Sequence, residues 1–435
     1  MEGFVNKILL NITEDCYIQR YYLTKLFQFL ELQKYQIQNC QYFENGQYSL
    51  SLKAQDFQNN KTIAIVVKLT DITFVQDKSQ LDKIYSIKYY CEIEEKFDNL
   101  IIQIFDFERY LNLTKVFQQF EINSDNFYLV NNLQVKKSTF QIEYQDAVKL
   151  GQDISNCANL SALQLDLDQT QIKCIAIQKI LSEASQCKQL EQLSLNLFKN
   201  QINLHSCKII GSELAKFLNL KNLHLDLQKN KIEAKDFQWI AKGIKSLKLE
   251  SLSIFIFQDK VSDEGISHLG IALSSMSELQ NLLLVLRESN ITYQGLKEFS
   301  QGLQNCVNLI NFQLHLSQNI LRNGLHYLGQ ALSKLKKLQC LQLNLRKTAN
   351  NEEGLNLLFS GLSNCCSLLN LDVDYGKNLV NQEQIAKKIG KLLIKCQNLR
   401  TFKLNIDQNL VDAQNIRRIF KQTTKGKKLT EYYIL

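Results

Sequence analysis

The sequence predicts an α/β solenoid preceded by a small α+β domain. Three observations predict this fold class: a period of about 30 residues, short segments of alternating leucines, and an amphipathic helical segment after each of them. The 435 residues are 45% hydrophobic and 22% charged, which is ordinary for a folded globular chain and excludes wholesale disorder. We assign residues 130–435 to the repeats and residues 1–129, which lack the period, to the N-terminal domain.

The repeat is carried by the pattern L-x-x-L-x-L-x-L, which recurs every 29 to 31 residues. Its first leucines are Leu160, Leu190, Leu220, Leu249, Leu279, Leu309, Leu338, Leu368 and Leu399. A weaker unit opens at Val130, and a truncated strand closes the series at Leu429. The sequence therefore predicts about ten stacked units.

Each unit contains the pattern of one strand and then of one helix. Alternating leucines indicate a short strand with one buried face. In residues 264–273 the apolar positions follow helical spacing, with Ile266, Leu269 and Leu273 on one face. Ten residues after the first leucine, five units carry an asparagine suited to binding the free backbone groups of a turn: Asn200, Asn230, Asn319, Asn378 and Asn409.

Together, the strand, the turn asparagine and the helix resemble the unit of leucine-rich-repeat proteins, and the unit length resembles the long, ribonuclease-inhibitor-like class. The resemblance covers residues 130–435. It implies a curved solenoid with a parallel sheet on the concave face and helices on the convex face. The fourth apolar strand position departs from the family pattern, and it predicts a longer strand or an altered curvature.

Cysteines recur at a fixed place in the repeat, three residues before the first leucine of five units. These are Cys157, Cys187, Cys306, Cys365 and Cys396, and we expect small buried thiols rather than disulfides or metal ligands. The chain has no Cys-x-x-Cys pair, and its five histidines show no ligand spacing. We therefore expect no metal site and no cofactor.

The N-terminal domain shows strand patterns at residues 48–57, 63–68 and 99–108 and a helical pattern near residues 80–97. Residues 40–110 resemble a degenerate fragment of the protein-kinase N-lobe. Val66 stands where the family has its phosphate-binding lysine, and Lys68, two residues later on the same strand face, is the candidate substitute, with Glu92, Glu94 or Glu95 as its candidate partner. No H-R-D or D-F-G segment is present, so the alternatives are a non-catalytic remnant, with residual nucleotide or kinase-partner binding, and a cap on the open end of the solenoid.

No catalytic motif occurs in a usable context, so we expect a binding protein rather than an enzyme. The residues between the leucines define the surface of the sheet, and most of them are polar. The exceptions form an expected apolar patch of Phe255, Phe257, Leu283 and Val285, with His315, Arg287 and Arg346 at its rim. Exposed aromatic residues bordered by arginine are typical of protein interfaces. We expect a protein partner there, unless the N-terminal domain covers these residues or they belong to the core.

Basic residues concentrate at the C-terminal end of a chain whose net charge is +8. The candidate anion-binding residues are Lys388, Lys391, Lys395, Arg417 and Arg418. They suggest a second alternative function, the binding of nucleic acid or of an anionic membrane. A capping helix with a solvated basic face would explain the same residues. The pairs Asp166/Asp168 and Asp372/Asp374 are expected to form a solvated acidic rim. Because no segment matches a signal peptide or a membrane span, we expect a cytoplasmic protein, of undetermined oligomeric state.

Overall fold

The computed structural model describes residues 36–42, 48–56, 61–69, 87–96, 99–106, 130–137, 141–257, 259–349, 352–378, 392, 395–405 and 431–434. The described strands form one open sheet in which every strand pairs with its neighbours in the sequence. Strands β1 to β5 are antiparallel, and the pairing is parallel from β5 to β16. Between β6 and β14 the parallel strands alternate with helices, which confirms the predicted α/β repeat solenoid.

The strands are β1 Gln36–Tyr42, β2 Tyr48–Asp56, β3 Lys61–Leu69, β4 Ile87–Lys96, β5 Asn99–Asp106, β6 Val130–Lys137, β7 Ala162–Asp166, β8 Gln192–Asn196, β9 Asn222–Asp226, β10 Ser251–Phe257, β11 Asn281–Arg287, β12 Asn311–His315, β13 Cys340–Asn344, β14 Asn370–Asp374, β15 Thr401–Asn405 and β16 Glu431–Ile434. The described helices are α1 Tyr144–Asn156, α2 Cys174–Ala184, α3 Leu204–Leu214, α4 Ala234–Lys245, α5 Ser262–Leu273, α6 Tyr293–Leu303, α7 Leu325–Leu332 and α8 Glu352–Leu362. A short 3-10 turn, Arg322–Gly324, precedes α7.

The core consists of leucine rows that run across the sheet. Leu163, Leu193, Leu223 and Leu252 occupy equivalent register positions on four neighbouring strands, and each is at most 2% exposed. The apolar faces of the helices close the core, as Ile266 and Leu269 of α5 illustrate. Burying a leucine side chain contributes about 2 kcal/mol, so the rows hold successive units together along the whole solenoid.

Buried asparagines at the turns form a ladder in which each asparagine links its unit to the one before it. In Asn230, Oδ1 accepts hydrogen bonds from the backbone N–H of Asn200 (2.7 Å) and of Ile202 (3.1 Å), and Nδ2 donates to Leu197 O (2.8 Å). The residues on both sides, Lys229 and Lys231, have left-handed backbones with φ of 58° and 64°. The ladder satisfies buried backbone groups that the strained turn would otherwise leave unpaired. The predicted role of the asparagines is confirmed for all but Asn409, which lies outside the described residues.

Close backbone contacts join helices α3 with α4, α5 with α6, and α7 with α8, and each contact is made through two glycines. In the second pair, a Cβ atom on Gly302 would lie 1.8 Å from the carbonyl oxygen of Gly270, so no side chain fits there. The equivalent pairs are Gly211/Gly243 and Gly329/Gly361. These glycine pairs therefore let the backbones of the two helices touch in each of the three contacts.

The five repeat cysteines are all buried, as predicted, and all but Cys157 also make hydrogen bonds between units. Cys306 Sγ donates to Leu273 O (3.4 Å) and Cys365 Sγ donates to Leu332 O (3.2 Å), in each case a carbonyl in the preceding unit. Burial raises the pKa of the Cys306 thiol to about 12, so it remains protonated and able to donate. These thiols act as small core residues that also satisfy the last carbonyls of a helix.

The expected helix at residues 80–97 is wrong over residues 87–96, which form strand β4. This strand pairs antiparallel with β3 and β5, and Glu92 lies opposite Ile63 in the register. Alternation of Ile87, Tyr89, Cys91 and Ile93 with other residues is a period-2 pattern typical of a strand. The helix that would carry a glutamate partner for Lys68 is therefore replaced by a strand. Strands β2, β3 and β5 coincide with the three strand patterns of the sequence.

Candidate functional site

The face of the sheet opposite the leucine core is here called the open face. On it, Phe255 of β10 pairs with Val285 of β11, and Val285 pairs with His315 of β12. Leu283 and Phe257 lie two residues away on the same strands, opposite Ser253 and Arg287. The register therefore places Phe255, Phe257, Leu283 and Val285 together as one group, called the apolar patch below.

The apolar patch belongs to the surface and not to the core. All four of its residues are half-buried, whereas the alternating residues Ile254, Ile256 and Leu284 are fully buried. The strand phase is therefore the one that the sequence predicts, and the alternative that these residues fill the core is wrong. Strands β10 and β11 have seven residues where their neighbours have five, so the patch occupies the longest strands of this part of the sheet.

His224 of β9 extends the apolar patch, although the sequence did not single it out. Its ring contacts Phe255, with 5.1 Å between ring centroids and a tilt of 51°. Burial lowers the pKa of His224 below its usual 6.5, an effect that Asp226 only partly opposes. The ring is therefore neutral at pH 7 and adds an amphipathic surface to the patch. Only the register reveals this, because His224 and Phe255 are 31 positions apart in the chain.

Arg287 forms one border of the patch and is held in a fixed position. Its guanidinium lies over the Phe257 ring, 5.0 Å from the ring centroid. Arg287 Nε donates to Gln318 Oε1 (2.7 Å), and the Glu288 carboxylate lies 3.6 Å from the guanidinium. Cation–π stacking and the hydrogen bond orient the arginine along the patch, so less conformational entropy is lost when it binds a ligand.

His315 forms the border on β12, where its Nε2 atom is buried and has no hydrogen-bond partner among the described residues. Burial lowers the pKa of His315, even though Asp372 acts in the opposite direction. A neutral imidazole is therefore expected at pH 7. Because an unsatisfied buried nitrogen is costly, a ligand group that binds it would gain affinity.

Arg346, the third predicted border residue, is two strands away from Arg287 and takes part in a different contact. Its guanidinium lies 4.0 Å from Asp374 Oδ1. It also covers the backbone of Gly376, where a Cβ atom would lie 2.6 Å from the guanidinium. The register thus places six of the seven predicted residues on β10, β11 and β12, and it places Arg346 just after β13, the strand whose Asn344 pairs with His315.

The acidic pairs of the open face are half-buried, and one carboxylate of each pair, Asp166 and Asp374, lies near a basic side chain. Asp166 Oδ2 lies 3.2 Å from Lys136 Nζ, and Asp166 Oδ1 accepts from Asn196 Nδ2 at 2.7 Å. Asp372 and Asp374 line a polar groove of about 430 Å³ that also contains Lys403. Among the described residues, no group of three or more His, Cys, Asp or Glu side chains is arranged to hold a metal ion.

Of the basic residues at the C-terminal end, Lys395 is exposed. The other four, Lys388, Lys391, Arg417 and Arg418, lie outside the described residues. Within the described ranges, no helix is long and apolar enough to cross a membrane.

No protein-family model matches the chain, and no curated protein matches it. The fold itself defines the class of protein: a repeat solenoid in which parallel strands alternate with helices on one continuous sheet.

Proposed function

We propose that the chain is a leucine-rich-repeat protein of the ribonuclease-inhibitor-like class and that it is a non-catalytic scaffold, which binds a protein partner on the concave side of its sheet. The 30-residue period, the leucine rows in register and the buried asparagine ladder support the class. In such a solenoid the open face would be the concave one, where neighbouring strands present a broad surface to a ligand.

The apolar patch is the observation that carries the binding proposal. Single exposed apolar residues are common on any surface, but contiguous aromatic and aliphatic side chains on neighbouring strands mark interaction sites. Neutral His224 and His315 enlarge the patch on both sides, and Arg287 borders it. Aromatic residues and arginine supply most of the binding energy of protein interfaces, which favours a protein ligand.

Rigid presentation of the patch supports the same proposal. Strands β10 and β11 are paired with each other over seven residues and are fixed on their outer sides by β9 and β12. A surface on strands loses little conformational freedom when a partner binds.

The proposal is tested by affinity capture from a lysate of the native cells, with the wild-type chain compared to the double variant Phe255→Ala/Phe257→Ala. The matched control is Ile175→Ala/Ile271→Ala, which removes two apolar side chains that are 57% and 51% exposed on helices α2 and α5. We expect a captured protein that the control retains and the patch variant loses. Equal capture by all three proteins, with unchanged circular dichroism, would refute a binding role for the patch.

A further inference from the structure

We propose that the protein partner is bound through an acidic segment, which lies along the edge of the sheet where the strands end and anchors an apolar side chain on the apolar patch. The inference rests on the proposed function and specifies the chemistry of the ligand. The edge in question, called the turn edge, consists of residues 168–171 and the equivalent residues of the following units. Because the strands from β6 onward are parallel, all these turns lie on the same side of the sheet.

Basic side chains dominate the turn edge. They are Lys199, Lys229, Lys231, Lys260, Arg287, Arg346, Lys347 and Lys377, all of them exposed except the half-buried Arg346. Among the described residues, the acidic side chains at equivalent positions are Asp168 and Glu288, together with Asp259, which is buried in the ladder. In the sequence these residues are spread over units about 30 positions apart, so they do not form one local cluster of charge.

The positive charge of the turn edge is largely unneutralised. Among the described residues, no carboxylate forms an ion pair with Lys229, Lys347 or Lys377, whereas Asp166 is paired with Lys136 at 3.2 Å. Arg287 and Arg346 lie near Glu288 and Asp374, but the lysines of the row have no ion-pair partner among the described residues. Lysines of this kind beside an apolar surface create a positive potential that attracts and orients an acidic ligand.

A polypeptide fits this surface better than a nucleic acid does. Two phenylalanines lie at the turn edge, but one face of each ring is occupied: Lys229 Nζ lies 5.5 Å from the Phe198 centroid, and Arg287 lies 5.0 Å from that of Phe257. Bases would have to displace these cations to stack on those faces. Asp226, in the adjacent row of the sheet, would repel a continuous phosphate backbone, while a peptide can place uncharged side chains there.

The dimensions of the surface set the length of the segment. From Lys199 after β8 to Lys377 after β14 there are six strand intervals, or about 29 Å at about 4.8 Å per interval. An extended peptide of about nine residues spans this distance. The apolar patch, on β10 and β11, lies near the middle, so we expect an apolar anchor flanked by carboxylates.

The test is a selection from displayed random peptides of about nine residues on the full chain. It compares the wild type with the edge variant Lys229→Glu/Lys347→Glu. Glutamate fits these left-handed turns, since Glu288 has φ of 53° at the equivalent position. The matched control is Lys235→Glu/Lys334→Glu, which makes the same charge change at exposed positions on and after the helices.

We expect the wild type and the control to enrich peptides with excess Asp and Glu and one aromatic or aliphatic residue. The best peptide, once synthesised, should bind the edge variant about tenfold more weakly, because two attractive pairs become repulsive. Its affinity should also fall between low salt and about 0.15 M salt.

Four results would overturn the inference. Peptides that are neutral or basic, but are lost on Phe255→Ala/Phe257→Ala, would leave the proposed function intact and refute only the acidic ligand. The acidic ligand would also be refuted if the acidic peptide bound the edge variant as tightly as the wild type. Tighter binding of a single-stranded oligonucleotide than of any peptide would refute it too. An absence of enrichment on the wild type would also refute a peptide ligand, while the capture experiment tests the proposed function independently.

Discussion

Replacing Asp259 by asparagine should stabilise the protein at neutral pH. Asp259 is 1% exposed and occupies the ladder position that asparagine holds in the preceding unit. Its Oδ1 accepts from the backbone N–H of Ile232 (2.8 Å) and Asn230 (3.2 Å), as an asparagine would. Its Oδ2 has no hydrogen-bond partner among the described residues. At the equivalent position, Asn230 Nδ2 donates to two carbonyl oxygens at 2.8 Å, and an ionised carboxylate can donate to neither.

The magnitude follows from the shift in pKa. Burial raises the pKa of Asp259 from 3.8 to about 6, because the fold favours the protonated carboxyl. A raised pKa means that the contribution to stability is fully present below pH 3.8 and is lost as the pH rises through about 6. At about 1.36 kcal/mol per pKa unit, the ionised form costs about 3 kcal/mol at pH 7. Asp259→Asn should recover about that much at pH 7 and little at pH 4.

The chain contains a local reporter for this experiment. Trp239 is its single tryptophan and lies on α4, in the unit between Asn230 and Asp259. Urea unfolding followed by Trp239 fluorescence at about pH 7 and pH 4 should show a higher midpoint for Asp259→Asn at pH 7 only. The converse variant Asn230→Asp should introduce a similar pH-dependent loss. A gain of the same size at both pH values would refute the explanation by ionisation.

Two further predictions concern packing and reactivity. Gly302→Ala should lower the free energy of unfolding by about 1–3 kcal/mol, because the added Cβ overlaps the Gly270 carbonyl. Thermal unfolding measures this loss, and a loss no larger than that of the exposed control Gln301→Ala would contradict the prediction. When the native protein is alkylated and analysed by mass spectrometry, the exposed Cys366 should react before the buried Cys306 and Cys365. Burial raises the pKa of both buried thiols to about 12, so they are protonated and unreactive. Alkylation of Cys306 as fast as of Cys366 would contradict this prediction.

Beyond these predictions, the repeat made much of the solenoid predictable from the sequence. Alternating leucines define which strand side chains are buried, and the 30-residue spacing requires that equivalent leucines meet on neighbouring strands. The turn asparagines and the repeat cysteines were predictable for the same reason: a residue type that recurs in every unit answers a need that recurs in every unit. The apolar patch on β10 and β11 followed directly, since Phe255 and Val285 break a pattern that is otherwise polar.

The N-terminal strands have no repeat to reinforce a local pattern, and there the helix predicted over residues 80–97 was wrong for residues 87–96. Residues 87–96 contain charged residues that suit a helix, yet they form a strand because β3 and β5 offer partners on both sides. Tertiary pairing therefore overrode the helical pattern of this segment.

By itself, the sequence determined the strands, the helices and the buried face of the repeat, because these depend on spacing within one unit. Only the tertiary structure decided which surface residues meet. Stacking places His224 against Phe255 and Arg287 over Phe257, and it separates Arg346 from both. It also gathers the turn lysines into one row and buries Asp259 in the ladder. These contacts join residues from different repeats, so their energies depend on register and burial, which no single segment of the chain specifies.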